Sequence, residues 1–493
     1  MQIKRSSGIL LHPTSLPGNY GIGSLGARAY GFIDFLADAR QKLWQVLPMG
    51  HTGYGDSPYQ CFSTFAGNPL LIDLDLLAEK GLLGGDDLAS PPHFEDNRVD
   101  YGKVITFKHQ KLKTAYHRFL KKDEMPEDYL RFVENNKWWL KEYTLFMALK
   151  ERYDGKPWWQ WPSALMQHKR EQVDAAEKEL EKETGFYRFC QYCFYTQWHD
   201  VKRYANDKGI SVIGDLPLYV AHDSADVWSD TKYFQFDDER RPLKVAGVPP
   251  DYFSKTGQLW GNPLYNWKYM KDNGFVWWYN RMRASFEMFD LVRIDHFRGF
   301  EAYWAVPYGD DTAVNGQWVK APGKELFDTL RKKMGTLPVI AEDLGIITPE
   351  VEALRNEFGF PGMKILQFAF HSDEGNEYLP HNYEPGFVVY TGTHDNDNLW
   401  GWYKTLEKPV KHKVLEYADT YGKYVVRRLI RLAWASVARM AVIPLQDLLE
   451  AGSEARMNTP GTPSGNWQWR FTDKELTQEH AHRLARLTEI YGR

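Results

Sequence analysis

Residues 289–300 have the sequence FDLVRIDHFRGF, in which a short run of apolar and β-branched residues ends abruptly in charged residues. The apolar part predicts a buried parallel strand, and the charges stand at its carboxyl end. In an α/β barrel that end opens into the active site, so a carboxylate there indicates catalysis more than folding. Asp295 is therefore the candidate nucleophile. On this stretch alone it could equally form a structural ion pair with Arg293 or Arg298.

Two further predicted strands also end in acids. Residues 337–342 (LPVIAE) stop at Glu342, and residues 387–395 (FVVYTGTHD) stop at Asp395. Taken singly, Glu342 could be the acid of a helix start or of an ion pair, and His394 could be a hydrogen-bonded core histidine. Three acids after three strands shift the balance towards an active site.

The chain offers eight candidate strands, predicted at residues 7–11, 43–47, 210–216, 289–294, 337–341, 363–368, 387–395 and 441–444. At 493 residues it is too long for one undecorated barrel of about 250 residues. We predict a barrel start over 1–69, an inserted and mainly helical subdomain over 70–209, and the remainder of the barrel over 210–493. That remainder includes a long loop insertion at 221–274, and a capping box at 472–475 predicts the start of the last helix.

Composition narrows the function classes. A net charge of -4 without any block of like charges argues against nucleic acid and membrane as partners. No apolar run reaches the length of a membrane span or of a signal peptide, so we expect a cytoplasmic protein. The 19 Trp, 29 Tyr and 27 Phe favour a carbohydrate ligand, because sugar rings pack on flat apolar faces.

A metal site is the rival interpretation of the polar residues. HExxH and Gly-rich phosphate loops are absent, and the lone CxxC at residues 190–193 has no second pair to complete a zinc site. We therefore expect Cys190 and Cys193 to be buried thiols, and we expect neither a metal nor another cofactor. The residues that a metal would use are Asp215, His222, Asp223, Asp295, His296 and Asp395.

Six segments of the chain resemble one known family: HPTSLPG (12–18), SPYQCFSTFAGNP (57–69), GDLPLYVA (214–221), VRIDHFRGF (292–300), IAEDLG (340–345) and TGTHDNDN (391–398). They are similar to segments of the 4-α-glucanotransferases called amylomaltase or disproportionating enzyme, which are related to the α-amylases. The resemblance runs in the expected order from about residue 8 to residue 469. It implies the α/β class, namely a (β/α)8 TIM barrel with large, mainly helical insertions.

The resemblance also implies roles for individual residues. Asp295 would be the nucleophile, Glu342 the general acid/base, and Asp395 the third carboxylate, which holds ring hydroxyls and favours a distorted sugar. A loop in the 250s would be mobile at the acceptor side, although its aromatic residues could instead pin it to the barrel. The implied substrate-binding residues are Tyr54, Tyr59, Tyr101, Asp215, Tyr252, Phe253, Trp260, Arg293, His394 and Asn466.

The function that follows is transfer of α-1,4-glucan segments to the 4-hydroxyl of another glucan or of glucose, by a retaining double displacement. An α-amylase-like hydrolase would use the same residues, and a catalytically silent glucan-binding protein would not need the three acids. We expect maltooligosaccharides and α-1,4-glucans as partners, and a monomer.

Overall fold

The structure is a computed structural model that describes residues 4–250 and 254–493. Within these residues the strands are β1 (Ser6–Leu10), β2 (Leu43–Gln45), β3 (Ser211–Leu216), β4 (Lys244–Val248), β5 (Gln258–Pro263), β6 (Leu291–Ile294), β7 (Ala302–Pro307), β8 (Gln317–Lys320), β9 (Val339–Ala341), β10 (Gly362–Ile365), β11 (Phe387–Tyr390) and β12 (Met440–Pro444).

Helices follow most of these strands. They are α1 (Ala27–Asp38), α2 (Leu74–Glu79), α3 (Gly85–Leu88), α4 (Tyr101–Phe119), α5 (Glu127–Arg152), α6 (Ser163–Met166), α7 (Arg170–Glu179), α8 (Glu181–Asp207), α9 (Ala225–Ser229), α10 (Trp267–Asp272), α11 (Val276–Met288), α12 (Gly323–Met334), α13 (Pro349–Phe358), α14 (Leu399–Thr405), α15 (Lys408–Tyr417), α16 (Val425–Ala435), α17 (Leu445–Leu448) and α18 (Gln478–Tyr491).

Eight strands form one parallel sheet in the order β10-β11-β12-β1-β2-β3-β6-β9. Its two edge strands meet where the Ala341 N–H donates to the carbonyl of Pro361 at 2.9 Å, so the sheet is nearly closed into a barrel. Side chains alternate across the sheet: Leu10 and Ile213 belong to one buried cluster and Ile9 and Val212 to the other. The (β/α)8 barrel predicted from the sequence is confirmed.

Helices α2–α8 lie between β2 and β3, where the sequence predicts a helical insertion. Two buried glutamines of α8 tie this layer to the loop after β2. Gln191 exchanges hydrogen bonds with the N–H and C=O of Gly67 (2.7 and 2.8 Å), and Gln197 does the same with Asp73 (2.7 and 3.1 Å). The division of the chain at residues 70 and 210 stays a prediction.

The prediction of a continuous loop over residues 221–274 is wrong, because this segment contains α9, β4, β5 and α10. Strands β4 and β5 join β7 and β8 in a four-stranded antiparallel sheet of order β5-β4-β7-β8. The sequence did not reveal it because β4 pairs with β7, whose partner residues lie about sixty positions further along: Lys244 opposes Pro307.

Two boundaries also differ from the prediction. Strand β11 ends at Tyr390 and not at Asp395, because Asn396 accepts a hydrogen bond from the Thr393 N–H (2.8 Å) and turns the chain. Helix α18 begins at Gln478: Glu475 does accept from the Thr472 N–H at 2.6 Å, but this bond closes only a single turn before the helix.

The described cysteines are all free thiols, and Cys190 and Cys193 are buried as predicted. Among the described helices none has the length and apolarity needed to cross a membrane. A cytoplasmic location stays a prediction.

Candidate active site

Strand register places the first two acids side by side. Strands β3, β6 and β9 are neighbours, with Ile294 opposite Ala341, so Asp295 and Glu342 are each the first residue beyond paired strand ends. The hydrogen-bond ladder continues past the strands, since the Asp295 N–H donates to Leu216 O and the Glu342 N–H donates to Ile294 O, both at 3.0 Å. The backbone positions of both acids are therefore fixed by the sheet.

Arg293 links two carboxylates of this edge. Its Nη1 donates to both oxygens of Asp215 (2.8 and 2.7 Å), and its Nη2 donates to Asp295 Oδ1 (3.0 Å). Burial works to lower the pKa of Arg293, but the charges of Asp215 and Asp295 raise that pKa well above its ordinary value. The guanidinium is thus a permanent cation shared by two acids.

The two acids of this pair differ in exposure. The Asp215 side chain is 0% exposed and that of Asp295 is 31% exposed. Within the described ranges only Arg293 donates a hydrogen bond to Asp295, and it uses Oδ1. Among the described residues, Asp295 Oδ2 has no hydrogen-bond donor.

Both carboxyl oxygens of Glu342 accept hydrogen bonds from the backbone. Its Oε2 accepts from the His296 N–H (2.6 Å) and its Oε1 from the Leu344 N–H (3.0 Å). His296 adopts the left-handed conformation (φ 50°, ψ 48°), which bends the chain directly after Asp295. Burial above all, with the charge of Asp295, raises the pKa of Glu342 to about 8, although Arg293 and the two N–H groups oppose the rise.

Asp395 approaches from the loop after β11. Its Oδ1 accepts from Asn458 Nδ2 at 2.6 Å and lies 3.4 Å from Nε2 of the buried His394. Tyr59 joins this loop to the Arg293 group: its ring stacks on His394 (centroids 5.2 Å apart, 15° between planes), and its hydroxyl donates to Asp215 Oδ2 (2.9 Å). Residues that are far apart in sequence thus line one cleft.

Asp447 secures the loop that carries His394 and Asp395. This buried carboxylate accepts from the Thr391 hydroxyl (2.6 Å) at one end of the loop and from the Leu399 N–H (2.7 Å) at the other. Our sequence reasoning missed it. Asp447 comes three residues after the end of β12, so the rule used for the other strand ends could have found it.

We expect Asp447→Ala to lower turnover about 10- to 100-fold. The change leaves two donors without their acceptor, at about 1–3 kcal/mol each, and a shift of about 1 Å in a catalytic loop can lower the rate about 100-fold. The isosteric Asp447→Asn keeps an acceptor for Leu399 and should recover most of the activity. Comparable kinetics for wild type and Asp447→Ala would contradict this role; kcat and KM measured on folded protein decide it.

The other predicted binding residues are placed as follows. Trp260 on β5 is half-buried, with its ring 4.8 Å from that of His296 and nearly perpendicular to it (84°). Asn466 closes a turn next to Asn458, since its Oδ1 accepts from the Thr459 N–H at 2.9 Å. Trp260 thus contacts the residue that follows Asp295, and Asn466 contacts the residue that follows Asn458, the partner of Asp395.

Tyr101 and Tyr54 are the two other tyrosines predicted to bind substrate. Tyr101 is only 6% exposed and its hydroxyl donates to Trp467 O (2.9 Å), so little of its ring remains for a sugar to stack on. The predicted substrate-binding role of Tyr101 stays a prediction. Tyr54 begins a 3₁₀ helix, Tyr54–Asp56, and the role of its side chain stays a prediction. Tyr252 and Phe253 lie outside the described residues.

The described residues contain no group of three or more His, Cys, Asp or Glu side chains arranged to hold a metal ion. His222 and Asp223 are two of the residues that the sequence suggested as metal ligands. The His222 ring stacks on Trp159 (centroids 4.1 Å apart, 13° between planes), and Asp223 forms an ion pair with Lys150 (2.6 Å). These two members of the rival set are engaged with partners of their own.

The sequence of the chain matches a known family. A sequence model described as 4-alpha-glucanotransferase matches residues 11–477. The chain belongs to the 4-alpha-glucanotransferase family. It is 51% identical over 496 residues to a 4-alpha-glucanotransferase of Synechocystis, covering 99% of this chain and 98% of that one. It is also 51% identical over 503 residues to that of Thermus thermophilus, with 100% of both chains covered.

Solved structures agree with this assignment. The amylomaltase of Streptococcus agalactiae in complex with acarbose superposes with a TM-score of 0.97 at 41% identity, covering 99% of this chain and 100% of that one. A trehalose-6-phosphate hydrolase of Bacillus licheniformis reaches a TM-score of 0.52 at 10% identity, covering 100% of this chain and 84% of that one, which shows a shared fold alone. The activity is therefore that of a 4-alpha-glucanotransferase, and the hydrolase alternative gains no support.

Proposed function

We propose that this 4-alpha-glucanotransferase works by double displacement, with Asp295 as nucleophile, Glu342 as general acid/base and Asp395 as the third carboxylate. The observation that carries the proposal is the pair of acids at neighbouring strand ends: Arg293 binds Asp295, whereas two backbone N–H groups hold Glu342, whose pKa is raised to about 8. Retaining enzymes need this contrast, because one carboxyl group must be ionised while the other donates a proton.

In the first step, Asp295 Oδ2 attacks the anomeric carbon while Glu342 gives its proton to the leaving glycosidic oxygen. The bond from that carbon to the leaving oxygen breaks, and a glycosyl ester on Asp295 forms. Arg293 holds the other oxygen of Asp295 in place during the attack. The leaving glucan departs with a free 4-hydroxyl.

In the second step Glu342 must take a proton back. A change in the charge of Asp295 explains why it can. The negative charge of Asp295 helps to raise the pKa of Glu342. Esterification of Asp295 removes that charge, so the pKa of Glu342 falls at the stage where it must accept a proton from the acceptor 4-hydroxyl. Both half-reactions thus use the same carboxyl group.

The remaining residues are proposed to hold the sugars. Asp395 and His394 would bind ring hydroxyls on one side of the cleft. Asp215, Tyr59 and Arg293 would form the bottom of the cleft. Trp260, together with Tyr252 and Phe253, would offer stacking faces to the acceptor, and Asn466 would shape the neighbouring turn. A bound acceptor wins over water at about 55 M because positioning gives effective molarities of roughly 10⁵ to 10⁸ M.

Incubation with maltotriose tests the function. Transfer gives glucose together with a ladder of longer oligomers, which is the expected result. Shortening alone would mean hydrolysis, and an unchanged trisaccharide would mean binding without catalysis. Size-exclusion chromatography of the same sample tests the predicted monomer.

The pH dependence should show an alkaline limit set by Glu342. The protonated form is the donor, so kcat/KM should fall about tenfold per pH unit as the pH rises above the pKa of about 8. Initial rates on maltotriose up to about pH 10 measure this limit. A profile that stays level over that range would contradict Glu342, with its raised pKa, as the acid.

Dialysis against a chelator should leave the activity unchanged. Arg293 already donates hydrogen bonds to two carboxylates and Asn458 donates to the third, so the acids have partners without a metal cation. Rates on maltotriose before and after dialysis provide the measurement. A large loss that calcium restores would contradict the expectation.

A further inference from the structure

Three aromatic side chains outside the catalytic scheme form one surface, here called the distal platform: Trp159, His222 and Tyr308. The rings of Trp159 and His222 are stacked, with centroids 4.1 Å apart and 13° between their planes. The Tyr308 ring stands upright beside His222 (6.5 Å, 89°). Trp159 is 36% exposed and Tyr308 is 50% exposed, so flat apolar area reaches solvent at both ends.

The platform is held rigidly from below. Trp158 is fully buried and its indole Nε1 donates to the carbonyl of His222 (2.8 Å). Asp223 accepts from Lys150 Nζ (2.6 Å) and from the Trp158 N–H (3.3 Å), which ties the segment to α5. Because these contacts hold the segments that carry Trp159 and His222 before any ligand arrives, binding on these two rings loses little conformational entropy.

Backbone contacts connect the segments that carry the platform to the strand that carries Trp260. Trp260 lies against His296, next to the nucleophile, and its other neighbour is the ring of Tyr219 at 6.4 Å. Asn262, on the same strand as Trp260, donates to the carbonyl of Val220 at 2.8 Å, two residues before His222. Tyr308 directly follows β7, which pairs with β4 in that sheet.

We propose that the distal platform binds the far end of long α-1,4-glucan acceptors, several glucose units away from the reacting hydroxyl. The inference rests on the proposed function for the identity of the sugar. A glucan fits because its C–H faces pack on flat rings, and the Lys150 cation beside the platform is already paired with Asp223. Short acceptors would not reach it.

The test separates ligand length from catalysis by measuring binding to the inactive Asp295→Asn protein. Calorimetric titration with maltotriose and with a linear maltodextrin of about ten glucose units gives two dissociation constants. Trp159→Ala and Tyr308→Ala, each added to Asp295→Asn, should weaken the long ligand about 3- to 10-fold, the range expected for one aromatic contact, and maltotriose less than twofold. Tyr421→Ala, at a side chain that is 80% exposed, is the matched control and should alter neither constant.

Two results would overturn the proposal. If both platform variants bind the long ligand as tightly as Asp295→Asn does, the surface serves something other than a glucan, such as a protein partner. If they weaken both ligands equally, the rings act on the catalytic cleft and not on a distal segment. Failure of the proposed function would appear elsewhere, as absence of disproportionation by the wild-type chain.

Discussion

Asp295→Asn is expected to lower maltotriose disproportionation by roughly 10⁴- to 10⁶-fold, the scale seen when a covalent nucleophile is removed. An amide cannot capture the anomeric carbon, so no glycosyl enzyme forms and neither half-reaction proceeds. The variant should still fold and bind glucan, because the Arg293 bond to Asp215 remains. Glucose release and oligomer redistribution from maltotriose are the measurements.

The matched control is Asp272→Asn, which makes the same chemical change on an exposed residue at the end of α10. It should have wild-type rates. Near-normal disproportionation by Asp295→Asn would show that the nucleophile is misassigned.

Glu342→Gln is expected to lower maltotriose turnover by about 10²- to 10⁴-fold, the usual contribution of a general acid. The loss should depend on the leaving group. An α-maltosyl fluoride donor needs no proton to release fluoride, so the first step should continue in the variant. Its fluoride release should also lack the alkaline limit near pH 8 that the pKa of Glu342 sets in the wild type.

Fluoride release also guards against a trivial explanation, because an unfolded variant would release none. Glu124→Gln, at an exposed position, serves as the matched control and should behave like the wild type. The diagnostic quantity is the first turnover, because the second step still lacks its general base. A first turnover with the fluoride donor that is slowed as much as maltotriose turnover would remove Glu342 from the role of acid.

The barrel strands and the acids at their carboxyl ends could be predicted because each is signalled by a short stretch of neighbouring residues. An apolar run such as residues 339–341 marks a buried strand, the acid after it marks the open end, and parallel strands bring such ends together. Arg293 and Asp295 are two residues apart on one strand, so their common inward direction follows from the pleat. The structure adds that the same cation also holds Asp215.

The unpredicted parts depend on contacts between distant residues. Tyr59 stacks on His394 across more than 300 positions, and no periodicity in the chain announces that contact. Strand β4 takes its shape from pairing with β7, so its own short sequence, KVAGV, carried too weak a signal. The pKa of Glu342 likewise arises from burial by the assembled barrel.

The most direct test of the mechanism is to trap the intermediate. Glu342→Gln mixed with α-maltosyl fluoride should form the glycosyl enzyme quickly and release it slowly, because no general base activates the acceptor. Mass spectrometry of the intact protein should show one added maltosyl group, and peptide mapping should place it on Asp295. A maltosyl group on any other residue, or fluoride release with no adduct in the variant, would contradict the account.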